Sequence, residues 1–167
     1  KVEAIYPFDP EFEAYCEQVA RGMDETKGDP WLLGHFSDNE LPFHEGGIVE
    51  RYLSHPEKDP CHVAAAAFMA SRGNRKPGKE DDRDFLHRVV GEYYRKVSEA
   101  LRRHDPSHMY LGSRFHGLAL NSPSLFVAAG PCADILSVNY YHRWTPEHDR
   151  IEQWAKWAGK PILITEW

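Results

Sequence analysis

A chain of 167 residues carrying a net charge of -6 has no basic stripe to neutralise phosphates, which argues against a nucleic-acid or anionic-membrane surface. Its 41% apolar and 13% aromatic content suffices for one buried core, while no run reaches the about 18 apolar residues of a bilayer span. Neutral sugars remain open as ligands, and the five Trp and eight Tyr suit them, because flat rings stack on sugar faces, although each ring serves equally well as core.

Residues 1–8 read as the end of a strand or the loop after one. Asp9-Pro10 is an N-cap with proline in the first helical turn, and Phe12, Tyr15, Cys16, Val19, Ala20 and Met23 then recur on one helical face. After Gly28 and Asp29-Pro30 the chain enters a short apolar strand, residues 31–36, which ends on Asp38, Asn39 and Glu40. Residues 41–62, with three Pro and two adjacent Gly, show no period and read as a long loop beside that strand end. Residues 63–71 read as a short helix, and residues 72–84 as a solvated, mobile connection.

Residues 85–103 carry the strongest helical signal: Phe85, Leu86, Val89, Val90, Tyr93, Tyr94, Val97 and Leu101 share one face, and Asp105-Pro106 stops the helix. A second strand covers 109–115, and Ser122-Pro123 caps a short helix that Gly130-Pro131 breaks. Residues 135–141 form a third strand. Thr145-Pro146 caps a helix with Ile151, Trp154, Ala155 and Ala158 on one face, Gly159 closes it, and residues 161–165 form a fourth strand before Glu166 and Trp167. Cys16, Cys61 and Cys132 form no CxxC pair and read as small hydrophobes. His35, His44, His55 and His62 lack the helical spacing of a metalloprotease site and have no carboxylate companion in sequence, so no metal and no other cofactor is expected.

Strands alternating with helices imply an α/β fold with parallel strands and right-handed crossovers. An open doubly wound sheet satisfies that pattern, but a barrel is favoured because Asn39, Glu40, Arg114, His116, Asn139, Tyr141 and Glu166 all fall at C-terminal strand ends, where barrel enzymes carry their chemistry. Two carboxylates so placed can serve as the acid and the nucleophile or base that glycosidic cleavage requires.

The ordered motifs DNEL (38–41), MYLGSRF (109–115), SVNYY (137–141) and ITEW (164–167) resemble the glycoside hydrolases of clan A, and within it the agarase-like and β-galactosidase-like families. The resemblance covers essentially the whole chain. It implies a partial (β/α)8 TIM barrel comprising about strands 4 to 7, with residues 1–167 a fragment of a single catalytic domain. It also implies a retaining mechanism in which Glu166 is the nucleophile and Glu40 the acid/base. By the same resemblance Asn39 bonds the sugar 2-hydroxyl, Tyr141 orients the nucleophile, and Arg114, His116, Asn139 and Trp167 line the substrate site. Trp167 departs from the Phe more usual in agarases, which bears on the substrate more than on the mechanism; β-mannanase or β-glucosidase types are the rival readings within the clan, and a barrel that binds saccharide without cleaving it is the rival outside it. The implied partner is a carbohydrate, with no nucleic acid and no membrane; the sequence carries no address of its own, and an extracellular or periplasmic one would suit a polysaccharide-degrading enzyme. Half a barrel leaves two strand edges unpaired, so the remainder of the barrel or another chain is expected to complete the sheet.

Overall fold

The run with the strongest period forms the longest helix. In the computed structural model, which describes residues 5–141 and 144–167, α4 (Lys79–His104) buries Phe85, Leu86, Val89, Val90, Tyr93, Tyr94, Val97 and Leu101. Glu80, Asp81 and Asp82 sit at its N-terminal end and Arg102, Arg103 and His104 at its C-terminal end, each sign matching the helix dipole. The helix begins well before Phe85, because Asp81 organises its start. Its carboxylate accepts the Gly78 N–H at 2.8 Å and a two-pronged Arg75 guanidinium at 2.5 and 2.8 Å, while Arg72 pairs with Asp84 at 2.5 Å. Residues 72–84, expected to be a solvated connection, are thus partly helix and tied down by ion pairs.

Arg75 and the Gly78 amide hold the Asp81 carboxyl below its ordinary value of 3.8. A depressed folded-state pKa contributes stability above the unfolded value and loses it as pH falls. Asp81→Asn should therefore lower the thermal midpoint at neutral pH, with the difference from the parent shrinking only below pH 3.8; a pH-independent difference would assign the effect to packing.

Helix α1 (Pro10–Ala20) starts as its sequence dictates, with Asp9 accepting the Glu11 N–H at 2.8 Å, and runs on into a 3-10 turn at Arg21–Glu25. Only Cys16 and Ala20 of its apolar face are buried; Tyr15 and Val19 are 61% and 49% exposed, so the periodic stripe is wider than the surface it covers. The expected loop at 41–62 contains α2 (Ile48–Leu53) and the start of α3 (Pro60–Ser71). Asp59 repeats the chemistry of Asp9, accepting the Cys61 N–H ahead of Pro60, and Asp82 of α4 accepts the Gly47 and Val49 amides at 3.0 and 3.1 Å.

The strands are shorter than the apolar runs that signal them. β1 (Gly34–His35) pairs in parallel with β2 (Met109–Tyr110), and β3 (Leu136–Asn139) with β4 (Ile162–Glu166). A parallel bridge between Phe115 and Val138 joins the two pairs, so neighbours follow sequence order. The ladder after Tyr110 is interrupted where Gly112 and Arg114 take φ of 80° and 49°. At Gly34 the strands approach so closely that a Cβ would stand 2.2 Å from the Met109 carbonyl oxygen.

Helix α5 (Pro123–Ala129) packs against α4 and against α6 (His148–Ala158), where Phe126 stacks on Trp154 with centroids 6.0 Å apart. Gly159, at φ 63°, ends α6 as expected, but Thr145-Pro146 does not cap it. The cap is Glu147, whose carboxylate accepts from the Tyr140 hydroxyl at 2.6 Å, so a tertiary anchor displaces the local signal. The first four residues of the stretch read as a strand end or loop lie outside the described residues.

Candidate active site

Alternation along β3 divides neighbouring side chains between two faces. Tyr140 turns to the helices, its ring edge on Trp154, whereas Asn139 and Tyr141 turn to a cluster of polar groups at the strand ends. Asn139 is wholly buried and all its hydrogen-bonding atoms are engaged. Its Nδ2 donates to Glu40 Oε1 at 2.8 Å and to Asn39 Oδ1 at 3.2 Å, and its Oδ1 accepts from Thr165 Oγ1 at 2.9 Å. One amide thus ties the DNEL motif to the end of β4.

Glu166 is held from both sides. Arg114 Nη2 donates to Oε1 and the Tyr141 hydroxyl donates to Oε2, while Arg114 Nε reaches Thr165 Oγ1 at 3.3 Å. The guanidinium also lies over the Phe36 ring, 5.7 Å from its centroid. Glu40 has different company: besides Asn139, its Oε2 lies 3.6 Å from His116 Nδ1, and the His116 ring meets Tyr141 edge-on at 5.3 Å. Both carboxylates keep about a third of their surface exposed, at 31% and 35%, so a ligand can reach them. Glu40 and Arg114 both hold positive φ, 55° and 49°, a backbone cost of about 1–3 kcal/mol each that tends to concentrate where function over-determines geometry.

The structure therefore gathers Asn39, Glu40, Arg114, His116, Asn139, Tyr141 and Glu166 into one connected network. Trp167 is apart from it: its ring packs on Tyr140 at 6.3 Å, on the helix side of β4, and is 57% exposed. Thr165, which joins Asn139 to Arg114, went unassigned by sequence because a threonine in a strand reads only as β propensity. Asp38 stays outside the network. Burial pushes its carboxyl up, against a hydrogen bond from Ser37, and its Oδ2 has no hydrogen-bond partner among the described residues.

No protein-family model matches the chain. The beta-agarase B of Vibrio sp. (strain JT0107) is 26% identical over 201 residues, an alignment that takes in 96% of this chain and 21% of that protein. The crystal structure of BpGH50 superposes with a TM-score of 0.84 at 30% identity, over 95% of this chain and 37% of that one. The chain is agarase-like. The crystal structure of the agarase AgWH50C agrees, with a TM-score of 0.77 and 27% identity over 96% of this chain and 26% of its own. The agarase-like chain spans about a fifth of the length of the curated relative and under two-fifths of either solved structure.

Proposed function

We propose that this chain contributes the catalytic centre of a retaining glycoside hydrolase acting on a β-linked galactan of the agarose type. In this reading residues 1–167 are part of a single (β/α)8 domain, about strands 4 to 7, and the remainder of the barrel completes the sheet. The sequence order of the parallel strands supports a barrel over a doubly wound sheet, which would reverse order part-way.

The observation that carries the proposal is the unlike company of the two carboxylates. Glu166 receives hydrogen bonds from a permanent cation, Arg114, and from the Tyr141 phenol, donors that bond an anion and leave it acceptor-only. That is the state a nucleophile needs. Glu40 rests on a neutral amide and beside an imidazole, an arrangement compatible with a carboxyl group that gives up and retakes a proton. Glu166 then attacks the anomeric carbon as Glu40 protonates the leaving oxygen; water, deprotonated by Glu40, releases the sugar with its configuration retained. Asn39 is assigned to the 2-hydroxyl, an interaction that strengthens in the transition state, and Arg114, His116, Asn139 and Tyr141 to the walls of the subsite. Trp167, against Tyr140 on the other side of β4, is given no contact with this subsite.

The likeness to proteins named agarases supports the agarose-type substrate over other clan A β-glycosidases. The test is to incubate the intact protein with agarose oligosaccharides and with β-linked mannan and glucan oligosaccharides, following the anomeric proton of the first product by NMR. Agarose oligosaccharides cleaved with initial β product are expected. Initial α product would refute retention, and cleavage of mannan or glucan alone would move the chain to a sibling family.

A further inference from the structure

A second cluster of ligating side chains lies at the opposite end of β2 from Arg114, where the chain leaves α4 and enters the strand. Asp105, just beyond α4, is fully buried, and its Oδ2 lies 2.6 Å from His108 Nδ1 and 2.9 Å from His35 Nε2. The two imidazoles are 6% and 10% exposed and meet edge-on, with ring centroids 5.8 Å apart. Their two nitrogens and the carboxylate oxygen all fall within 4.8 Å of one another.

The orientation of His108 decides what this group can hold. Its Nε2 lies 2.9 Å from the backbone carbonyl oxygen of Asp29, which can only accept, so Nε2 carries a proton. In the neutral ring Nδ1 is then a bare lone pair, aimed at the lone pairs of a buried carboxylate. Either a proton or a metal cation joins them. A carbonyl that fixes the far nitrogen of a histidine is also the usual outer support of a metal-ligating imidazole, and the carboxylate has such support too, its Oδ1 accepting the Ser107 amide at 3.2 Å.

We propose that His35 Nε2, Asp105 Oδ2 and His108 Nδ1 form a structural site for a divalent first-row metal ion of the zinc class, separate from the carboxylates at the strand ends. Two imidazoles and one carboxylate are a borderline donor set that suits zinc or cobalt and not calcium or magnesium. Bonds of about 2.0–2.1 Å to each ligand set tetrahedral edges of about 3.3 Å, so the His108–Asp105 and His35–Asp105 contacts have to open by about 0.7 and 0.4 Å and the two imidazole nitrogens, now within 4.8 Å, have to settle at the same edge, shifts within the reach of side-chain torsion. The ion would clip β1 to the turn between α4 and β2, which lies 70 residues further along the chain. It has no role in the cleavage step. The competing occupant is a proton on His108 Nδ1, which makes the ring an imidazolium paired with Asp105.

The test is to strip the intact protein with a chelator and titrate it with Co(II), then displace with Zn(II). The proposal expects visible Co(II) bands of a four- or five-coordinate site saturating at one ion per chain, and a first X-ray absorption shell of two imidazoles and oxygen. It also expects at least 10–100-fold weaker binding in both His35→Gln and His108→Gln, the scale on which even outer partners of a metal act. Folding of the variants is checked by circular dichroism, and the absorption shell of the parent stands as a readout that needs neither variant. Absence of Co(II) bands in the folded parent, an all-oxygen shell, or binding unchanged by both substitutions would overturn the metal site and leave the proton as occupant. Glycosidase activity plays no part in any of these readouts, so their failure leaves the proposed function untouched.

Discussion

Replacing Glu166 by Gln in the intact protein is expected to lower kcat by about 10⁴-fold or more on every substrate, activated aryl β-galactosides included, the scale of loss when a nucleophile is removed. The amide is nearly isosteric but cannot attack, and its NH2 group would face either the Arg114 guanidinium or the Tyr141 hydroxyl where an oxygen accepts now. No leaving group, however good, compensates for a missing nucleophile. Steady-state kinetics on one aryl glycoside and one agarose oligosaccharide read the effect, and a loss restricted to the oligosaccharide would take the nucleophile role away from Glu166.

Glu40→Gln should behave differently. Proton transfer is worth about 10²–10⁴-fold, and the cost should fall on substrates whose leaving oxygen needs that proton. Agarose oligosaccharides should lose that factor. An aryl glycoside with an acidic phenol should keep its first step and show a burst of released phenol, because hydrolysis of the glycosyl-enzyme still needs Glu40 as base. The Gln side chain can still accept from Asn139 Nδ2 through its carbonyl, so the local geometry has reason to survive. Equal losses on both substrates, with no burst, would contradict the division of labour.

What the sequence revealed and what it hid follow from the range over which each signal acts. Apolar period over many turns marked α4, and the Asp-Pro signature marked α1, because both act within a few residues. The same signature at Asp59-Pro60 starts α3 inside a stretch whose three prolines and two glycines give no helical period. Strand ends were overestimated at 109–115, since nothing local announces that Arg114 adopts φ 49°. The seven networked residues were reached through motif position, but of their pairings only that of Tyr141 with Glu166 followed from the resemblance. Arg114 meets Glu166 across 52 residues and Asn139 meets Glu40 across 99. Likewise His35 lacked a carboxylate companion in sequence because its partner, Asp105, lies 70 residues on and reads as a helix stop.

The central claim is that Glu166 and Glu40 act from opposite faces of the sugar, one as nucleophile and the other as acid/base. Azide supplied to the two alanine variants tests it most directly, because the configuration of the glycosyl azide records which carboxylate was replaced. In Glu166→Ala azide takes the nucleophile's place, and a β-glycoside should yield the inverted α-glycosyl azide. In Glu40→Ala it attacks the glycosyl-enzyme formed on Glu166, and the β-glycosyl azide should result. The α-azide from the Glu40 variant, the β-azide from the Glu166 variant, or no azide product from either would contradict the account.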